Sequence, residues 1–134
     1  MSDELKAGKD SKAKARSFKD LLVWQKGMAL AKGIYGITQP FPNQEKFGLV
    51  SQMRRAAVSI PSNIAEGQAR HTTKEFIQFI SHAEGSVAEL GTQLMLAVDL
   101  GYCVPRQVEE AFGLISDLRN MLNALRRTLT RNDA

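Results

Sequence analysis

The sequence predicts an all-α protein, an antiparallel up-down-up-down four-helix bundle with a kinked second helix. Three observations carry that prediction. Apolar residues recur at steps of three and four through four long segments, no stretch alternates with the period of two expected of a half-buried strand, and the breaks are short and rich in turn formers. Length agrees, since 134 residues of which 43% are hydrophobic can bury roughly two-thirds of their surface around a single core.

Residues 1–17 hold Lys6, Lys9, Lys12, Lys14 and Arg16 among Ser, Ala and Gly, with Met1 and Leu5 the only large apolar side chains. That composition predicts a disordered basic arm ahead of a bundle domain spanning 18–134. From Ser17 onward two apolar seams adjoin, Leu21, Trp24, Met28, Ala31, Tyr35 and Val23, Leu30, Ile34, Ile37, which predicts a first helix buried over a broad face. Gln39-Pro40-Phe41-Pro42-Asn43 ends it, because each proline disfavours helix in the residue before it. Asn43 is then the expected cap of a second helix over about 44–68, carrying Phe47, Val50, Arg54, Ala57 beside Leu49, Met53, Ala56, Ile60, Ile64. The stripe stays in phase past Pro61, so one kinked helix is expected there. Thr72 and Glu75 have the spacing of a capping box, and behind them Phe76, Ile80, Ala83, Val87, Leu90, Leu94 and Ala97 form the cleanest periodicity of the chain. Gly101 is the expected stop of this third helix. Pro105 suits the first turn of a fourth, which carries Val108, Phe112, Ile115, Leu118, Leu122, Leu125 and Leu129.

Composition excludes more functions than it suggests. A single cysteine, Cys103, rules out an internal disulfide framework and fits a reducing compartment, where it is expected to pack as a small apolar group. The longest apolar runs, such as Leu94 to Val98, fall far short of the roughly 18 residues of a membrane span, so a cytoplasmic protein with no membrane association is expected. His71 and His82 lack companions at ligand spacing, and no nucleophile triad, nucleotide loop or paired-carboxylate motif is present. No metal, no cofactor and no enzyme activity are expected.

Two polar features remain. Arg55, Ser59, Asn63 and Glu66 share one side of the second helix around Pro61, facing Ser86, Glu89 and Gln93 of the third. Proline deprives the Ala57 carbonyl of its donor, and Ser59 or Asn63 is the expected substitute, with Arg55 and Glu89 placed to pair. Arg55, Ser59, Asn63, Glu66 and Glu89 are accordingly read as a structural polar network that fixes register. The net charge of +4 is uneven: 71–100 carries Lys74 against Glu75, Glu84, Glu89 and Asp99, and the other segments are basic. Arg119, Arg126, Arg127 and Arg131 recur along the fourth helix and Arg54 adds a cation on the second, making these five the candidate nucleic-acid contacts. Their structural alternative is pairing with Glu109, Glu110 and Asp117 and complementing the helix C-terminus.

Several of these segments together resemble a known family. Val23-Trp24, Gln52-Met53-Arg54-Arg55-Ala56, Ser59-Ile60-Pro61-Ser62-Asn63-Ile64-Ala65-Glu66-Gly67, Gly85-Ser86, Glu89-Leu90 and Leu100-Gly101-Tyr102 look like the bacterial four-helix bundle proteins encoded in intervening sequences of large-subunit ribosomal RNA genes. The resemblance covers about residues 18–130. It implies a homopentamer, and kinship with the accessory variability protein of diversity-generating retroelements, a basic pentamer that binds nucleic acid and a reverse transcriptase. Glu84 and Gly91 depart from the family pattern, the first where a basic or apolar residue is common and the second where glutamate is. Both fall on the third helix, where the resemblance implies that a basic surface used for nucleic acid would be weakened in this protein.

Surplus apolar surface on the first two helices supports self-association in a closed ring, the pentamer coming from the resemblance alone. The leading expectation is a non-enzymatic homo-oligomer that binds RNA or DNA through its backbone as an accessory factor. A scaffold for a protein partner is the alternative, and an enzyme built on Arg55, Asn63 and Glu66 trails both.

Overall fold

The computed structural model describes residues 17–133, so the arm expected over 1–17 lies outside the described residues except for Ser17. The Ser17 hydroxyl accepts from the Lys19 amide at 3.0 Å and starts a 3₁₀ turn over Phe18–Asp20, after which helix α1 runs Leu22–Thr38. Phe18 sets its ring edge-on to Trp24 with 5.2 Å between centroids. Helix α2 spans Leu49–Gln68, α3 Thr73–Asp99 and α4 Glu109–Asp133. Each helix packs on its neighbours in sequence, and α4 closes against α1, giving the four-helix bundle that the periodicity predicts.

The start of the second helix differs from expectation. A 3₁₀ turn at Asn43–Glu45 precedes α2, and Gly48, at φ −109° and ψ −110°, separates the two. Asn43 caps nothing; the Glu45 carboxylate accepts from the Leu49 amide at 3.1 Å and serves the first turn instead. Beyond it α2 runs unbroken through Pro61. The substitute hydrogen bonds also land elsewhere than predicted: Ser59 Oγ donates to the Ala56 carbonyl at 2.8 Å and Asn63 Nδ2 donates to the Ser59 carbonyl at 2.7 Å. A helical side chain reaches back three or four residues, and neither Ser59 nor Asn63 has Ala57 at that offset. Both therefore reinforce carbonyls that flank the one opened by proline. Pro61 is buried against α1, where a Cβ on Gly27 would stand 3.5 Å from it.

Thr72 Oγ1 accepts from the Glu75 amide at 3.1 Å, and Gly101 ends α3 at φ 79°, a left-handed position that suits glycine. Pro105 opens the 3₁₀ turn Pro105–Val108 that leads into α4. Leu30, Ile34, Met53, Ile60, Ile64, Ile80, Leu90, Leu94, Leu118 and Leu122 are fully buried. Each such side chain contributes about 1.5–3 kcal/mol over leaving it exposed.

The two seams of α1 reach this core unequally, the first burying only Ala31 in it and laying Leu21 and Trp24 against it. Val23, Leu30 and Ile34 are buried, whereas Trp24 and Met28 are half-buried and Tyr35, expected inside, is 45% exposed. Phe47 of the second stripe is 88% exposed, because the turn that delays α2 to Leu49 takes Phe47 out of the helical phase. Among the described residues no helix is long and apolar enough to cross a membrane.

Candidate nucleic-acid interface

The antiparallel order gathers the starts of α1 and α3 and the ends of α2 and α4 at one end of the bundle. Cations collect there. Lys19, Arg70, Lys74, Arg127 and Arg131 belong to this end, together with the carboxylates Glu66 and Glu75, and Ser17, the first described residue, lies there too. From Leu118 to Asn132 α4 carries Arg119, Arg126, Arg127 and Arg131 and no carboxylate. A helix C-terminus favours cations, but that effect fades within a turn and Arg119 lies beyond its reach.

The five nominated arginines separate into two groups. Arg119, Arg127 and Arg131 are exposed and, among the described residues, make no ion pair. On a helix Arg127 and Arg131 lie about 40° apart and Arg119 about 80° from Arg127, so the three fan along one side of α4. Arg126 instead pairs with Glu84 at 3.0 Å and donates to Asn123 Oδ1 at 2.7 Å. Arg54 is tied to α1: its Nε donates to Thr38 Oγ1 at 2.9 Å, its Nη2 to the Tyr35 carbonyl at 3.2 Å, and its guanidinium lies 4.4 Å from the Tyr35 ring centroid. These contacts order the C-terminus of α1 and leave Arg54 poorly placed to take a phosphate. Asp117, expected to serve the arginines, is held by Lys26 of α1 at 3.2 Å across a solvent-exposed gap. Such a pair contributes about 0–1 kcal/mol.

The polar line is assembled in part. Ser59 Oγ, whose proton goes to the Ala56 carbonyl, accepts from the Ser86 hydroxyl at 2.6 Å, so the two predicted lines do meet across α2 and α3. Glu89 accepts from Gln93 Nε2 at 3.3 Å, while Gln93 Oε1 is buried without a partner among the described residues. Arg55 does not pair with Glu89, and both Arg55 and Glu66 are exposed outside the network. The adjacent arginines thus exchange their expected roles: Arg54 is structural and Arg55 stands free at the surface. Among the described residues no three His, Cys, Asp or Glu side chains lie together as a metal site would need. Cys103 is buried, and burial pushes its thiol above the ordinary range, the opposite of what an activated nucleophile requires.

The profile of the 23S rRNA-intervening sequence proteins matches residues 19–124, which takes in all of α1, α2 and α3 and most of α4. The chain belongs to this family. No curated protein matches it. Glu84 is the carboxylate that occupies Arg126. Gly91 faces α4, where a Cβ would lie 3.8 Å from Ile115.

Sequence reasoning missed three features. Glu45 and Tyr102 join the α1–α2 turn to the α3–α4 turn through a hydrogen bond of 2.8 Å. Nothing local signals a contact between residues so far apart in the chain. The exposed groove between α1 and α2, about 570 Å³ and lined by Trp24, Met28, Tyr35, Val58 and Pro61, was legible only as surplus apolar surface. Phe47 gave a cue in its neighbours, as Gly48 beside it favours a turn over continued helix.

Proposed function

We propose that this intervening-sequence protein is a non-enzymatic homo-oligomer that binds nucleic acid by phosphate contacts at its basic end, as an accessory factor. The observation that carries this reading is the unpaired Arg127 and Arg131 at the end of the bundle where α4 finishes, with Arg119 further back on the same stretch without carboxylates. Arg55 adds a further free cation. The earlier candidates Arg54 and Arg126 have no part in it. Self-association is supported by the apolar groove between α1 and α2 and by Phe47, and a closed ring would repeat a modest charge so that avidity multiplies weak contacts. The pentamer, and kinship with the retroelement accessory protein, are supported by the sequence resemblance.

Phosphate contacts make binding fall linearly in log salt, by about 0.9 per contact on duplex DNA or about 0.7 on single strands, with little sequence preference. Fluorescence anisotropy on both substrates between about 50 and 200 mM salt measures that slope. Replacing Arg127 and Arg131 by Gln should reduce affinity and slope together. Negligible retention of the wild type at low salt would refute the reading and put the protein-scaffold alternative first, the α1–α2 groove then being its partner site.

A further inference from the structure

A second opening lies on the face of α1 that the groove does not use. Between α1 and α4, at the end away from the arginines, a cavity of about 420 Å³ is walled by Leu30, Ile37, Ala111 and Leu114, with Cys103 lining it and Glu110 at its edge. Gly33 and Gly36 also line it, and a Cβ on either would meet nothing within 4 Å. Each glycine costs about 1 kcal/mol against alanine inside a helix. No packing within the subunit calls for them. Two polar side chains at the cavity are already engaged, Gln107 Oε1 by the Val104 amide at 2.8 Å and the Tyr102 hydroxyl by Glu45. What remains is an apolar hollow with one free carboxylate beside it.

At the same end the α1–α2 turn holds out Phe47, 88% exposed, with Lys46 Nζ 5.6 Å from its ring centroid. The Glu45–Tyr102 hydrogen bond fixes this turn and the cavity wall at one level of the bundle. Hollow and protrusion lie on adjacent sides of α1. A ring whose axis runs along the bundle brings together different patches of neighbouring subunits at equal height, so a knob and its socket must share a level. They do here. The signs of charge match too, because a ring seated in the cavity would carry Lys46 toward Glu110.

We infer that the α1–α4 cavity receives Phe47 of a second copy of this chain, with Lys46 of that copy facing Glu110. This rests on the homo-oligomer reading above and specifies its contact. An exposed aromatic side chain offers about 150–250 Å² for burial, which makes Phe47 the anchor of the joint.

Cys103 is the only thiol of the chain, so Cys103→Ser provides a cysteine-free background for the test. In that background Lys46→Cys with Glu110→Cys keeps Phe47 in place, and mild oxidation should link each chain head to tail and give a ladder of species larger than dimers on a non-reducing gel. Either cysteine alone should give nothing beyond dimers. Phe47→Ala should lower the mass by light scattering at micromolar concentration without changing helix content, and Lys46→Glu should do the same and be rescued by Glu110→Lys. A wild type of oligomeric mass whose double-cysteine form yields nothing beyond dimers would overturn the assignment and leave self-association standing. A monomeric wild type would overturn both.

Discussion

The two ends of the bundle use similar side chains in opposite ways. At the end formed by the turns 39–48 and 100–108, polar groups are held by one another: Glu45 takes the Tyr102 hydroxyl and the Leu49 amide, Gln107 takes the Val104 amide, and Thr38 takes Arg54. Phe41 lies against Tyr102 with 5.4 Å between ring centroids and adds an apolar layer. At the opposite end Arg127 and Arg131 point into water without ion-pair partners among the described residues. One end is organised to hold two turns together. The other presents charge that the fold itself does not use, and charge left unpartnered is what a polyanion can recruit.

Glycines set the largest expected difference between the ends. A Cβ on Gly67, where α2 meets α3 beside the basic end, would stand 2.8 Å from Phe76 Cδ1 and 2.9 Å from Phe79 Cβ. Aromatic rings in a packed seam cannot yield cheaply, so Gly67→Ala should cost about 1–3 kcal/mol by chemical denaturation. At the other end a Cβ on Gly48 would meet the Glu45 carboxylate, 2.9 Å away, which can swing aside, and the Glu45 carbonyl in ordinary contact at 3.9 Å. Gly48→Ala should therefore cost less. A reversed order would mean that the Glu45 contacts hold the fold more strongly than the α2–α3 seam.

Next comes charge at each end. Arg127→Gln should weaken oligonucleotide binding by up to about tenfold and flatten the salt slope by about one contact per subunit, while Arg106→Gln in the α3–α4 turn should change neither. Glu84→Gln should act in the other direction, because it releases Arg126 from its 3.0 Å pair and adds a cation to the α4 surface. Equal losses from Arg127→Gln and Arg106→Gln would erase the distinction between the ends as far as nucleic acid is concerned.

A smaller effect belongs to the middle of the molecule. Asn63→Ala removes the 2.7 Å bond to the Ser59 carbonyl two residues before Pro61 and should cost about 1 kcal/mol. A denaturation midpoint equal to wild type would mean that water replaces the amide at this half-buried site.

The helices were legible because periodicity is a local signal that a bundle obeys along most of its length: α3 carries apolar residues at every predicted position, and Thr72 and Gly101 bound it as expected. The candidate site was legible only as composition. Which arginine is free depends on what stands across a helix interface, and sequence spacing cannot distinguish Arg54, laid on Tyr35, from Arg55 one position later. Likewise Arg126 and Arg127 are adjacent in sequence, yet a carboxylate 42 positions away engages the first alone. Tyr35 failed for another reason. A helical stripe shows which residues share a face, but a wide apolar face need not be covered within its own subunit.

The contact that joins the two turns has the smallest expected effect and the clearest pH signature. The Tyr102 hydroxyl and, after it, the Leu49 amide hold the Glu45 carboxyl below its ordinary value of 4.5. Glu45 in turn keeps the Tyr102 phenol above its ordinary 10.0, first through this hydrogen bond and then through burial and the negative charge of Glu45. A depressed carboxyl stabilises the fold above its unfolded value, and that contribution fades as pH falls through the folded one; a raised phenol stabilises below its unfolded value and fades as pH rises through the folded one. The melting temperature of the wild type should therefore exceed that of Tyr102→Phe by a constant margin between the ordinary carboxyl and phenol ranges, and the margin should shrink on both flanks. The Phe41 contact survives the substitution because the ring is retained. A margin that stayed constant from acid to alkali would assign the role of Tyr102 to its ring alone, and a margin absent at neutral pH would show that the turns are held together without this hydrogen bond.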